Sequence, residues 1–262
     1  MSASRAPGDH FSGVAASYAA FRPRYPRALF EFLASVAPTR ARAWDCGAGT
    51  GQATLGLAEF FDEVIATDVS VEQIAHAPRH AGVRWCVAPA ESVPIASASV
   101  DLVTVAQALH WFDHARFYAE VRRVCVPNAV IAAWTYLAPR TDGEVGRVLR
   151  RFMRDDLRGY WPAERKYVDD EYRSIPFPFE RIPTPEFRIE YDWTLSQVDG
   201  YLRSMSPVAR YERAHERNPV DVVLPELASL WGEANVPRRF EWPVVLLAGR
   251  VARESSEFVA SR

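Results

Sequence analysis

The 262-residue sequence predicts an α/β fold built on a mostly parallel sheet, with a helical and irregular segment after the fifth strand. Three observations predict this fold. Short apolar runs alternate with segments of helical periodicity up to residue 136, a glycine-rich turn follows the first run, and the alternation stops after Tyr136. Because a helix between two strands usually returns the chain by a right-handed crossover, this alternation is typical of a parallel sheet.

The segment before the sheet is predicted to be partly ordered. Residues 1–9 are rich in Ser, Ala, Pro and Gly and predict a disordered tail, whereas residues 11–20 predict a short lead helix. Residues 27–36 predict a second helix because apolar residues recur on one of its faces. These apolar residues are Leu29, Phe30, Leu33 and Val36.

The sheet and its helices follow from the alternating periodicity. The predicted strands lie at residues 41–45, 63–68, 83–88, 100–107 and 128–136. The predicted helices between them lie at residues 51–61, 70–80 and 113–125. Ser70 and Gln73 form a capping box at the start of one helix, and Asp113 is the expected cap of another.

The pattern changes after Tyr136. Further predicted elements are a basic-faced helix at 140–158, strands at 187–194 and 240–251, and helices at 196–205 and 220–231. The stretch 159–185 is rich in aromatic residues and proline, which is typical of a lid. The predicted parts are a core with lead helices at 10–136, a lid or substrate cover at 137–186, and a C-terminal part at 187–262 that completes the sheet.

The composition excludes several classes of protein. A net charge of −2 and a pI near 6.3 provide no general attraction for nucleic acid or for an acidic membrane. The three cysteines lie in apolar runs without the spacing of metal ligands, so we expect reduced core residues and no metal site. No apolar run is long enough to span a membrane, and we expect a cytoplasmic protein.

A glycine-rich turn follows the first predicted strand. Gly47, Gly49 and Gly51 alternate along it, and the second strand ends at Asp68. Glycines let a backbone take positive φ and approach a ligand closely, and a carboxylate at a strand end can accept hydrogen bonds from two ribose hydroxyls. The pattern predicts a nucleoside-binding corner. Because Gln52 stands where the dinucleotide fingerprint requires glycine, an NAD-dependent oxidoreductase is disfavoured.

Three blocks carry a family resemblance. The segment 45–52 resembles motif I of the class I S-adenosylmethionine (SAM)-dependent methyltransferases, and the segment 106–113 is similar to the stretch after their fourth strand in one branch. The segment 11–26 is similar to the N-terminal lead of that branch. The branch is methyltransferase type 11, which includes trans-aconitate methyltransferase-like proteins and small-molecule methyltransferases of bacterial secondary metabolism. The resemblance covers about residues 11–136 and implies a Rossmann-like, seven-stranded, mostly parallel sheet with an antiparallel last strand.

The resemblance also implies SAM as the cofactor and a set of residues around it. The glycines would let the backbone pass the cofactor, Asp45 would reach its amino acid part, and Asp68 would hold the ribose or cap the next helix. The full expected set is Arg22, Arg24, Asp45, Gly47, Gly49, Gly51, Asp68, Val69, Ala90, Glu91 and Gln107. An arginine of the lead segment would pair with the cofactor carboxylate or simply lie at the surface.

The resemblance is less specific about the residues that would contact the acceptor. His110 is either a general base near neutral pH or a neutral hydrogen-bonding residue that fixes its loop. Tyr18 would approach the sulfonium or the substrate, or pack within the lead helix. The expected catalytic residues are His110 and Tyr18, and the expected substrate residues are Tyr18, His110, Trp111, Tyr136, Trp161, Trp193 and Arg210.

The function expected from the sequence is in-line methyl transfer to a heteroaromatic nitrogen or a phenolic oxygen of a bacterial metabolite. A carboxylate O-methyltransferase of the trans-aconitate type and a non-catalytic SAM-binding protein are the alternatives. We expect a small-molecule acceptor, neither nucleic acid nor membrane as a partner, and a monomer or weak homodimer.

Overall fold

The computed structural model describes residues 23–252. The predicted tail at 1–9 and lead helix at 11–20 lie outside this range, as do Tyr18 and Arg22.

A parallel sheet forms the first half of the fold. Its strands are β1 (Arg42–Cys46), β2 (Glu63–Asp68), β3 (Val83–Val87), β4 (Val100–Ala106) and β5 (Cys125–Tyr136). They lie side by side in the order β3-β2-β1-β4-β5, all parallel. The strand order therefore reverses between β1 and β4. In open α/β sheets such a reversal places a crevice at the carboxyl ends of the strands.

Helices cover both faces of this sheet. They are α1 (Arg27–Val36), α2 (Gln52–Ala58), α3 (Val71–Ala75) and α4 (His114–Val124). Successive side chains of β5 alternate between two cores, with Ile131 and Ala133 in one and Val130 and Ala132 in the other. Burial on both faces explains why apolar residues in β4 and β5 occupy successive positions rather than only alternate ones.

The second half adds antiparallel strands and more helices. Its helices are α5 (Gly143–Arg151), α6 (Arg165–Asp169), α7 (Leu195–Arg203), α8 (Ser206–His215) and α9 (Val220–Trp231). Its strands are β6 (Glu180–Arg181), β7 (Phe187–Trp193) and β8 (Arg238–Arg250). The long strand β8 lies antiparallel beside β5, and both β6 and β7 pair antiparallel with β8. A separate core cluster forms here around Trp193, Phe240 and Trp242.

The predicted sheet with an antiparallel last strand is confirmed, and it contains eight strands because the short β6 joins it. The boundaries differ locally. The helix predicted at 70–80 ends at Ala75, since Pro78 cannot donate a backbone hydrogen bond to continue it. Helix α8 was absent from the sequence prediction because its buried residues, Pro207 and Val208, give no apolar stripe. Within residues 23–252, no helix is long and apolar enough to cross a membrane. The division into core, lid and C-terminal part stays a prediction.

Candidate active site

Two adjoining cavities open at the carboxyl ends of the parallel strands. The lining of the first cavity includes Gly49, Asp68, Val69, Ala90 and Glu91. The lining of the second cavity includes His110, Met153, Trp161, Arg165 and Tyr201. Three residues line both cavities, namely Gln107, Trp111 and Tyr136. The two cavities therefore share a wall made by the ends of β4 and β5.

The three glycines of the turn have different surroundings. All three have positive φ, 69° at Gly47, 56° at Gly49 and 91° at Gly51. A Cβ on Gly47 would lie 2.6 Å from the Cβ of Ala108, and one on Gly51 would lie 2.5 Å from the Trp85 ring. A Cβ on Gly49 would meet only Gln73, at 3.8 Å. Gly49 thus faces open space in the first cavity, whereas Gly51 is required for packing and is absent from the cavity lining.

Asp68 supports the turn from the end of β2. Its Oδ2 accepts from the Gly49 backbone N–H at 2.8 Å, and its Oδ1 accepts from the Ser70 N–H at 2.8 Å. The cap of α3 is Ser70, whose hydroxyl accepts from the Gln73 N–H. Because a carboxylate has about four acceptor positions, Asp68 can hold the turn and still accept from hydroxyls of a bound ribose.

Asp45, which is expected to contact the ligand, does not line the first cavity. Asp45 is fully buried, and its carboxylate accepts from the Thr54 hydroxyl at 2.6 Å and the Thr104 hydroxyl at 2.8 Å. Burial, reinforced by the negative charge of Asp68, raises the pKa of Asp45 to about 6, although the two threonines oppose the rise. Asp45 therefore joins β1 to α2 and β4 beneath the first cavity.

One wall of the first cavity is apolar and suited to a flat base. Val69 is 44% exposed beside Asp68, and Ala88, Ala90 and Phe112 lie on the same lining. Glu91 is also on the lining, where its Oε1 accepts from the Asp113 backbone N–H at 3.0 Å.

Arg24 lies at the surface, which is one of the two positions expected for an arginine of the lead segment. Its side chain is exposed and absent from the cavity lining, and its backbone N–H donates to the Tyr191 hydroxyl. The neighbouring Tyr25 lines the first cavity instead and packs edge-on against Trp134. Within residues 23–252, no arginine or lysine lines this cavity.

His110 is the most chemically distinctive residue of the second cavity. Its Nδ1 lies 2.9 Å from the hydroxyl of Tyr172, which is fully buried. Burial, followed by the charges of Arg165 and His114, lowers the pKa of His110 to about 4. The imidazole is therefore neutral at neutral pH. This geometry is compatible with both interpretations of His110, as a neutral hydrogen-bonding residue and as a general base.

Aromatic and cationic side chains complete the second cavity. The Arg165 guanidinium lies 4.2 Å from the ring centroid of Trp161, and its Nε donates to Asp169 at 2.7 Å. The indole N–H of Trp161 donates to the backbone carbonyl of Met153 at 2.8 Å, which fixes the ring. Tyr201 contributes a further part of the wall.

Two expected substrate residues lie elsewhere. Trp193 is 7% exposed and packs against Trp242, with ring centroids 4.8 Å apart, because β7 directs this side chain into the core. Arg210 donates to the Tyr160 carbonyl at 3.3 Å and is absent from the lining of both cavities.

Several lining residues escaped the sequence prediction. Tyr25 and Gln73 lie within motifs that the sequence singled out, so their positions were accessible in principle. Arg165 and Tyr201 lie beyond the segment that the family resemblance covers well. No periodic signal connects them with the glycine turn.

Comparisons with known proteins agree with the fold. Residues 44–133 match a family model described as a methyltransferase domain. A Dictyostelium discoideum protein named as a methyltransferase is 35% identical over 84% of this chain and 83% of its own length. A Saccharomyces cerevisiae protein named as a SAM-dependent methyltransferase is 26% identical over 87% of this chain and 92% of its own length. A solved structure described as a type II methyltransferase from Anaeromyxobacter dehalogenans is 47% identical, covers 88% of this chain and 99% of that chain, and has a TM-score of 0.84.

The reversed strand order, the glycine turn and the carboxylate ending β2 define the class of nucleoside-binding α/β proteins. Within that class, the chain belongs to the class I SAM-dependent methyltransferases. This is a family of enzymes whose cofactor is SAM.

The first cavity fits this cofactor. Gly49 leaves room for a ligand beside the turn, Asp68 provides a carboxylate for ribose hydroxyls, and Val69 offers an exposed apolar surface to a base. At the far end, the side-chain Nε2 of Gln107 is buried and has no partner among the described residues. These residues would hold the cofactor, which would supply a methyl group for transfer.

Proposed function

We propose that the chain transfers a methyl group to a heteroaromatic nitrogen or a phenolic oxygen of a small, planar bacterial metabolite bound in the second cavity. The observation that carries the proposal is the shared wall, because Gln107, Trp111 and Tyr136 line both cavities. An acceptor in the second cavity would therefore lie next to the reactive end of the cofactor.

The character of the second cavity supports a planar acceptor. Trp111 and Trp161 present indole rings, and His110 presents a neutral imidazole. Binding sites for small organic molecules are mostly aromatic and apolar, with a few polar groups that fix orientation.

The bound cofactor supplies an electrophilic methyl group on a sulfonium. The protein's contribution is to align the acceptor and exclude water, and such orientation can account for about 7–11 kcal/mol of a barrier. Trp161, held through Met153, would fix the plane of the acceptor. His110 would interact with the proton that a hydroxyl or ring N–H must lose.

A carboxylate acceptor is the second candidate. It is favoured by Arg165, which lines the second cavity and would pair with a negative charge. Such an acceptor has no proton to lose, so His110 would then contribute only packing and hydrogen bonding.

Methyl transfer from SAM to two acceptor sets tests the proposal. One set contains phenols and nitrogen heterocycles, the other contains small di- and tricarboxylates, and mass spectrometry locates the added methyl group. We expect products from the first set. Methyl esters alone would favour a carboxylate acceptor, and SAM binding without any product would favour a non-catalytic protein.

A further inference from the structure

Both internal methionines of the chain line the second cavity. They are Met153 and Met205, and the third methionine is Met1, which lies outside the described residues. Met153 is 6% exposed and Met205 is 3% exposed, and both belong to the core cluster around Trp193 and Trp242. Methionine often fills irregular gaps in a core. Gap filling alone does not explain why both methionines border the cavity proposed for the acceptor.

A π-helix, Phe152–Asp156, holds the backbone of Met153 directly after α5. In an α-helix the Leu157 N–H would donate to the Met153 carbonyl. Here it donates to the Phe152 carbonyl, one residue further back, at 3.0 Å. The Met153 carbonyl accepts from the indole N–H of Trp161 at 2.8 Å instead. The π-helix therefore ties the backbone of Met153 to an aromatic side chain of the same cavity.

The sequence explains why the helix widens at this point. Buried apolar residues recur every three or four positions along α5 and into the π-helix, at Val145, Leu149 and Phe152. Continued α-helical spacing would bury the side chain of Asp156, but this residue is exposed and the next buried one is Leu157. One extra residue in the turn brings Leu157 into the core. Such π-bulges within α-helices are frequent at functional sites.

The junction of α7 and α8 holds the backbone of Met205. Its N–H donates to the Leu202 carbonyl at 3.1 Å, and its carbonyl accepts from the N–H groups of Val208 at 3.0 Å and Ala209 at 3.3 Å. Both methionines thus have anchored backbones and unbranched side chains. A methionine side chain has three rotatable bonds, and its polarisable sulfur makes favourable contacts with aromatic rings.

We infer that Met153 and Met205 are specificity-determining residues that contact the ring of the acceptor and adapt the second cavity to planar acceptors of different sizes. This inference rests on the proposed function. A larger ring displaces the two thioether side chains rather than the backbone, because the π-helix and the α7–α8 junction are hydrogen-bonded in place. The acceptor class it implies is an aromatic ring, of one or two fused cycles, that carries the reacting oxygen or nitrogen.

Carbon NMR of methyl-labelled methionine tests this contact without any turnover. In protein bound to S-adenosylhomocysteine (SAH), the demethylated cofactor, Met153→Leu and Met205→Leu each remove one signal and so assign the two methyl groups. The probes are phenol and 2-naphthol, with cyclohexanol as the saturated counterpart of phenol. We expect both methyl signals to shift with the aromatic probes, because an aromatic ring current acts on nuclei that it contacts, and to shift much less with cyclohexanol. Unshifted signals at millimolar phenol and 2-naphthol would overturn the inference, as would equal shifts with phenol and cyclohexanol.

The ratio of kcat/KM for 2-naphthol to that for phenol tests the adaptation. Leucine has nearly the volume of methionine, so it should preserve the fold, but its branched side chain is stiffer. We expect Met153→Leu and Met205→Leu each to lower the ratio by about tenfold, since the larger ring requires the wall to move. Leu149→Met makes the reverse exchange at a buried position of the same cluster that does not line the second cavity, and it should leave the ratio unchanged.

Replacement of methionine by norleucine separates flexibility from other effects of the exchange. Norleucine keeps the unbranched chain, so the ratio should stay close to that of the wild type. A ratio that is unchanged in both leucine variants, or lowered as much by norleucine as by leucine, would contradict the adaptation. If neither phenol nor 2-naphthol is methylated, the methyl signals still decide whether a ring contacts the methionines, so the two proposals fail separately.

Discussion

The two cavities are built in different ways from the same chain. The first cavity is formed largely by neighbouring residues, because the glycine turn and the carboxylate of Asp68 follow two adjacent parallel strands. The second cavity combines the turn after β4 with residues 137–168 and with Tyr201 and Met205 of the C-terminal part. A local motif therefore specifies where the cofactor binds, whereas long-range packing specifies where the acceptor would bind.

The buried polar groups differ in the same way. Beneath the first cavity, Asp45 is enclosed by two threonines of the sheet and α2 and serves the structure. Behind the second cavity, the buried hydroxyl of Tyr172 lies 2.9 Å from Nδ1 of His110, which lines the cavity. The first arrangement joins two strands and a helix, whereas the second places a buried hydroxyl against a side chain of the cavity.

The largest expected effect is on stability, and it comes from a glycine of the turn that is needed for packing. Gly47→Ala places a Cβ 2.6 Å from Ala108 at a φ of 69°, so strain and overpacking together should lower the free energy of unfolding by about 2–5 kcal/mol. Gly143→Ala is a matched control, since its φ is 68° and nothing lies within 4 Å of the new Cβ. It should cost only about 1 kcal/mol. Urea unfolding measures both.

Gly49→Ala completes this series. Its Cβ would enter the first cavity without a protein clash, so the stability should resemble that of Gly143→Ala while SAH affinity falls. Calorimetry measures that affinity. Unchanged SAH binding in Gly49→Ala would mean that the cofactor does not pass this side of the turn.

The next effect contrasts the pH dependence contributed by the two sites. The pKa of Asp45 is raised from 3.8 to about 6, chiefly by burial, so its stabilising contribution is complete below pH 3.8 and is lost as pH rises through 6. The pKa of His110 is lowered from 6.5 to about 4, again chiefly by burial, so its contribution is complete above pH 6.5 and is lost as pH falls through 4. Each contribution amounts to about 3 kcal/mol at most.

Two variants separate these opposing contributions. Relative to wild type, Asp45→Asn should gain up to about 3 kcal/mol of stability as pH rises from 3.8 to 6, and His110→Gln should gain a similar amount as pH falls from 6.5 to 4. Unfolding in denaturant across this pH range measures both differences. Parallel curves for wild type and Asp45→Asn would show that this carboxyl titrates normally in the folded state.

The sequence predicts the features that are formed by neighbouring residues better than those formed by long-range packing. The second strand was predicted with its observed bounds, because an apolar run ending in an acidic residue is a local signal. The family resemblance implies a ligand contact for Asp45, but the threonines that cover its carboxylate come from separate elements. Arg165 and Tyr172 reach His110 only through the packing of the segment after β5. Periodicity in the sequence carries no information about that contact.

The smallest expected effect concerns Arg165 and distinguishes the two acceptor classes. Its positive charge lowers the pKa of His110, so Arg165→Gln should raise that pKa, and the pH limb of kcat that reports His110 should move to higher pH by less than about one pH unit. Lys166→Gln is the matched control, because this neighbouring exposed lysine lies over Tyr167 and does not line the second cavity.

The Michaelis constant (KM) of Arg165→Gln also distinguishes the two acceptor classes. A neutral planar acceptor has no charge to pair with Arg165, so Arg165→Gln should change KM by about threefold or less, the effect of a weakened packing contact with Trp161. A carboxylate acceptor would lose a charge-assisted hydrogen bond worth about 1.5–3 kcal/mol, which corresponds to a KM at least tenfold higher. A moved pH limb with nearly constant KM would therefore assign Arg165 to His110, whereas a large rise in KM with an unmoved limb would assign it to the acceptor.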